Sequence, residues 1–138
     1  MIVLDTDTLS LVLRVHPRVS QRMRTAPESP VIAIVSRIEV LQGRFDSVLK
    51  AADADALLRA QSRLAAAEKD LERYTVVPFN SAAGSEFERL RQNKKVKKIG
   101  RKDLLIACIA LANHATLVTR NVKDFQLVPG LRLENWAD

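Results

Sequence analysis

The sequence predicts an α/β protein: one domain over residues 1–138, folded as a three-layer α/β/α sandwich on a mostly parallel sheet of five strands. The prediction rests first on short β-branched runs that alternate with segments of helical periodicity, the pattern of parallel pairing through right-handed crossovers. It rests second on the strands themselves, such as Ile2-Val3-Leu4, which are apolar without alternation and so suit burial on both faces of a sheet. No Gly-, Pro- or Ser-rich linker and no shift in composition divides the chain.

Taken in order, Ile2 to Leu4 is the first strand, and a short helix is expected from Leu9 to Leu13. Pro17 permits a second helix from Arg18 to Thr25, because proline is tolerated in a first helical turn. Pro27 and Pro30 mark a turn before a second strand at Val31–Val35. Ser36 is expected to open a helix that ends near Gly43. From Phe45 to Tyr74 the chain is rich in Ala, Leu, Glu, Arg and Lys and lacks Gly and Pro, which predicts one long helix or a helical hairpin. A third strand is expected at Thr75–Phe79, then an amphipathic helix at Ser85–Gln92 and a basic segment at Asn93–Lys102. An almost wholly apolar helix follows at Asp103–Asn113, with strands at Thr116–Thr119 and Leu131–Trp136.

Composition narrows the function classes. A hydrophobic fraction of 47% belongs to a globular protein rather than a disordered tail. Lys and Arg outnumber Asp and Glu by 22 to 16, and the net charge of +6 points to a polyanionic partner, nucleic acid before membrane. Cys108 is the only cysteine and sits among apolar neighbours, so it reads as a buried hydrophobe in a reducing compartment. The opening residues lack the basic start of a signal peptide and no apolar run is long enough to span a bilayer, so a cytoplasmic location is expected.

The candidate chemistry is acidic. Asp5 follows the first strand directly, at the carboxyl edge where open α/β sheets bind ligands. Glu39 follows the second strand, Asp103 opens the buried helix, and Asp124 follows the fourth strand. Carboxylates gathered in one cleft repel unless a cation lies among them, and oxygen-only ligands favour Mg²⁺, with Mn²⁺ able to substitute. Each acid also has a local explanation. Asp5 can cap the helix after it. Ser36-Arg37-Ile38-Glu39 is a capping-box pattern in which Glu39 would reach back to its own helix start. Asp103 suits the positive end of a helix dipole, and Asp124 can be an ordinary loop residue. His16 and His114 have no partnered spacing, which argues against zinc.

Val3-Leu4-Asp5-Thr6, Ser36 to Gly43, Ile99-Gly100-Arg101-Lys102-Asp103 with Ile106-Ala107, Leu117 to Asn121 with Asp124-Phe125, and Pro129 to Trp136 occur in one order along the chain. Together they resemble the PIN-domain ribonucleases, specifically the VapC-type toxins of bacterial type II toxin–antitoxin pairs, over essentially the whole length. The resemblance implies an endoribonuclease whose catalytic acids fall on Asp5, Glu39 and Asp103, with Asp124 contributing through water or as an outer ligand. Asp5 and Asp103 would hold Mg²⁺, and a metal-activated water would attack the phosphodiester in line. Asn121 stands where many relatives carry an acid, and it would help by its amide oxygen. Thr6, Asp7 and Ser36 would support the carboxylates. Lys94, Lys95, Lys97, Lys98, Arg101 and Lys102 would bind RNA phosphates, unless that run is a solvated loop. Implied partners are a structured RNA such as tRNA, a cognate antitoxin and a second copy of the chain, with no membrane.

Two other readings stay open. Asp5-Thr6-Asp7-Thr8 after a hydrophobic strand also fits the haloacid-dehalogenase pattern, where Asp5 would be a phosphatase nucleophile and Asp7 the general acid and base. A catalytically silent module that binds RNA or an antitoxin is the other, prompted by Asn121.

Overall fold

A computed structural model describes all residues, 1–138. Five strands, β1 (Ile2–Leu4), β2 (Val31–Ala33), β3 (Val76–Val77), β4 (Thr116–Val118) and β5 (Arg132–Glu134), form one sheet in the order β3-β2-β1-β4-β5. Every pairing is parallel, so the sheet is wholly rather than mostly so. The helices are α1 (Thr6–Leu13), α2 (Pro17–Thr25), α3 (Ile34–Leu49), α4 (Ala54–Leu71), α5 (Ser81–Leu90), α6 (Arg101–Ala112) and α7 (Val122–Phe125).

The period of two along each strand separates the core into two layers. Val3, Ala33, Val77 and Leu117 face α5 and α6, with Ile106, Ile109 and Phe125 in the same cluster. Ile2, Leu4, Ile32 and Val118 face the opposite way, against Leu9, Val19, Val40 and Leu71 of α1 to α4. Trp136 joins this second layer, its indole N–H donating to Glu134 Oε2 at 3.0 Å and its ring lying under the Arg22 guanidinium. None of the helices is long and apolar enough to cross a membrane.

Several boundaries differ from those read in the sequence. The first helix starts at Thr6 rather than Leu9, because Asp5 caps it. Strand β2 stops at Ala33, and Ile34 and Val35 turn into α3. They are β-branched and read locally as strand, but each can pack as well from a helix once the sheet is there to cover it. α3 continues past Gly43 to Leu49, and the run to Tyr74 is a hairpin whose break falls at residues 50–53. α5 begins at Ser81 rather than Ser85, with Asn80 as its cap. The fifth strand is confined to Arg132–Glu134.

The order of strands decides where a ligand can enter. From β1 the chain moves outward through β2 to β3, then returns to the other side of β1 as β4. The crossovers diverge between β1 and β4, and a crevice is left beyond the carboxyl ends of those two strands.

Candidate active site

Asp5 lies at that crevice. It is the residue after β1 and the N-cap of α1, its Oδ1 accepting from the Thr8 backbone N–H at 2.8 Å. The Thr8 hydroxyl donates to the Val118 carbonyl at 3.2 Å, which ties the start of α1 to the end of β4. Asp5 is 3% exposed. Burial pushes its carboxyl above the ordinary value, hydrogen bonds from Thr119 and Thr8 oppose the rise, and the nearby Asp7 charge adds to it. Capping and site placement are therefore the same geometry.

Thr119 had not been singled out. It is fully buried one residue beyond β4, and its oxygen accepts from the Asn121 backbone N–H at 2.9 Å, leaving its own proton for Asp5. The signal in the sequence is positional: a hydroxyl directly after an apolar run, where Asp5 stands relative to β1.

Glu39 does not close a capping box. Ala33 caps α3 without a side-chain bond, and Ser36 is already inside the helix. Instead the Thr6 hydroxyl donates to Glu39 Oε1 at 2.8 Å and lies 3.0 Å from Ser36 Oγ, whose proton is then free to reach Thr6. The carboxylate is aimed by a residue of α1, across the crevice mouth. Its only close cation is Lys102, with Nζ at 4.0 Å from Oε2 and a side chain 63% exposed, which adds little in water.

Asp103 occupies the first turn of α6, where the helix dipole favours an acid. Its carboxyl is nevertheless pushed up to about 6, by burial first and then by the charges of Asp5, Glu39 and Asp7 in that order. These acids, from the end of β1, the first turns of α1 and α6 and the second turn of α3, are close enough to feel one another. A hydrogen bond from Asn121 works in the other direction. Asn121 also donates its amide N–H to Asp124 Oδ2 at 3.0 Å. This reverses the expected orientation, in which the amide oxygen would face the site: two carboxylates beside the amide attract its N–H. Asp124 lies in the short helix α7 rather than in a loop, and is not among the charges that raise Asp103.

The basic segment is anchored rather than free. Val96 and Ile99 are 1% and 6% exposed and plug into the α5–α6 layer around a 3₁₀ turn at Val96–Lys98. Lys94, Lys95, Lys97, Lys98, Arg101 and Lys102 are left exposed beside Asp103. His16 accepts from the Val19 N–H as the cap of α2, and buried Cys108 has its thiol pushed up to about 11, so neither supplies a nucleophile here.

No family model matches the chain. It is 43% identical over 68 residues to Ribonuclease VapC2 of Rickettsia felis, a match that spans 51% of that protein. Against Ribonuclease VapC1 of Haemophilus influenzae the identity is 28%, over 97% of this chain and 96% of the other. The solved structure of VapBC2 from Rickettsia felis, bound to a promoter DNA fragment, superposes with a TM-score of 0.78 and 29% identity over 99% of each chain. Over its whole length the chain is thus similar to VapC ribonucleases and shares the fold of the solved VapBC structures. VapBC-1 from nontypeable Haemophilus influenzae superposes as well, with a TM-score of 0.79 and 26% identity over the full length of both chains. In this chain the acids named above lie at the β1–β4 crevice, and the superpositions extend from the first strand to the last.

Proposed function

We propose that the chain is a Mg²⁺-dependent endoribonuclease and the toxin of a toxin–antitoxin pair. One observation carries the reading: an acidic crevice at the switch point of the sheet, where burial and then the charges of Asp5, Glu39 and Asp7 push the Asp103 carboxyl up to about 6. The names of the relatives, ribonucleases and VapBC complexes, support the same assignment.

The donor set fits a hard divalent cation. As the side chains stand, no three His, Cys, Asp or Glu groups converge tightly enough to ligate one ion. Mg²⁺ does not require that, since it keeps several waters and is commonly held by one or two carboxylates together with substrate phosphate. Asp5 and Asp103 would supply those carboxylates, with Mn²⁺ able to replace Mg²⁺. When bound, the ion supplies Lewis acidity and counter-charge to the phosphodiester undergoing substitution.

The rest falls to the chain. Thr8 and Thr119 fix the Asp5 carboxylate, and Asn121 holds Asp103 and Asp124 in place. Glu39, aimed by Thr6, accepts the proton of the attacking water, and Asp124 acts as an outer group through water. As water adds to phosphorus, the opposite P–O bond breaks and its oxygen is protonated from solvent. The phosphatase alternative assigns no role to Glu39 or Asp103, although both are brought to the same crevice. The substrate is a structured RNA such as tRNA; a cognate antitoxin and a homodimer complete the assembly, in the cytoplasm.

The direct test is incubation of purified protein with RNA. Cleavage should require Mg²⁺ or Mn²⁺ and stop with a chelator. Binding without cleavage in every metal would identify a silent module instead.

A second expectation concerns the basic segment. Neutralising Lys94, Lys95, Lys97 and Lys98 together should weaken RNA binding and reduce the slope of log affinity against log salt, because fewer counterions are released. For single strands the reduction is up to about 3. An unchanged slope in a salt titration would leave these lysines as solvated surface.

A further inference from the structure

Beside the first turn of α6, the turn that also carries Asp103, is a cleft of about 660 Å³. Its walls include Phe87 and Arg91 from the end of α5, Lys97 and Ile99 from the basic segment, and Arg101 and Leu104 from α6. No acid lines it. The Arg101 and Arg91 guanidinium carbons lie 5.6 Å and 5.8 Å from the centre of the Phe87 ring, and Arg91 also contacts the exposed Glu88 at 3.5 Å. Phe79 meets Phe87 edge-on, with ring centres 6.3 Å apart. It stands two residues beyond β3, on the same carboxyl edge as Asp5, and is 38% exposed. Phe87 is half-buried against the core, and its ring meets two cations at the rim of the cleft.

We infer that this cleft is a stacking site for one unpaired nucleobase of the RNA. The inference rests on the RNA-directed function proposed above and adds to it a requirement for a single-stranded nucleotide beside the scissile phosphate. Bases stack on aromatic faces and on guanidinium planes alike, and stacking tolerates any base because each has a π face. The lysines around the rim neutralise the flanking phosphates, so one cleft offers both halves of single-strand recognition. Arg101 and Leu104 flank Asp103 in the same helical turn. A base seated here is therefore held by the same helical turn that carries Asp103. An acidic peptide would find the charge complementary but would have no use for the exposed rings.

The test is equilibrium binding in the presence of a chelator, so that no bond is cut and failure of Mg²⁺-dependent hydrolysis leaves it interpretable. A labelled single-stranded oligoribonucleotide is compared with an abasic oligomer carrying the same number of phosphates. The wild-type chain should bind the base-bearing strand about tenfold more tightly or better. Phe87→Leu should abolish that preference with the salt slope unchanged, and Phe87→Trp should keep it. Because Phe87 is half-buried, Arg101→Gln provides a second variant at an exposed position, and it should reduce the preference as well. Equal binding of the two strands by wild type, or full retention of the preference in both Phe87→Leu and Arg101→Gln, overturns the proposal. Displacement of the abasic strand and the RNA with equal ease by polyglutamate would overturn it in favour of an acidic protein partner. Should RNA cleavage succeed and base preference be absent, the stacking site fails while the nuclease stands.

Discussion

Asp5→Asn is expected to lower RNA cleavage by at least about a hundredfold, in the range seen when one preorganised electrostatic contact is lost from a buried site. The substitution removes a charge and almost nothing else. Asn caps helices as well as Asp does, so the bond from the Thr8 N–H survives through the amide oxygen. Burial already pushes the Asp5 carboxyl up, which means that the fold favours its neutral form. The variant should accordingly unfold at the same temperature as wild type or slightly above it. Loss of cleavage with retained stability is the signature of a site residue. Cleavage at the wild-type rate under identical Mg²⁺ would show that the crevice is not where the reaction occurs.

Asp103→Asn should separate the metal from the fold. The folded-state value near 6 lies above the ordinary 3.8, so between those values the folded chain binds more protons than the unfolded one. Stability contributed by this group therefore falls as pH rises from about 4 to about 6, and the penalty is complete above that range. Asp103 remains partly in contact with solvent, so the penalty is on the order of 1 kcal/mol after screening. Its removal is opposed by loss of the helix-start interaction, roughly 0.3–1 kcal/mol. In metal-free buffer at neutral pH the variant should be as stable as wild type or more so, and its stability should vary less between pH 4 and 6.

Addition of Mg²⁺ should reverse the ranking. An ion that binds only the folded state at 100 times its dissociation constant stabilises by about 2.7 kcal/mol, or several degrees in Tm for a chain of this length. Wild type should show that shift, and Asp103→Asn should lose most of it together with cleavage. Thermal unfolding of both proteins with and without Mg²⁺ reads all of these effects at once. A marked loss of metal-free stability with an undiminished Mg²⁺ shift would make Asp103 a helix-start residue and nothing more.

What the sequence determined by itself is whatever depends on neighbours in the chain. Ile2-Val3-Leu4 announces a strand buried on both faces, and the recurrence of such runs between helical segments announces the parallel sheet and its three layers. Asp5 could be placed at the carboxyl edge because it follows its strand directly. The hairpin within Phe45–Tyr74 was visible only as one of two possibilities, the other being one long helix, since helix-forming composition without Gly or Pro does not locate a break. Tertiary structure decided the rest. Ser36 to Glu39 carries a complete capping-box pattern, yet Glu39 is held by Thr6, a partner 33 positions away that no local pattern can reveal. Ile34 and Val35 have strand propensity and fold as helix, because burial against the sheet outweighs a preference worth a fraction of a kcal/mol. Thr119 and the direction of the Asn121 amide follow from the pairing of β1 with β4, across 114 positions at Ile2 and Thr116. Periodicity and propensity are properties of adjacent residues. Which carboxylates face one another is set by strand order, and strand order is settled only when the whole core packs.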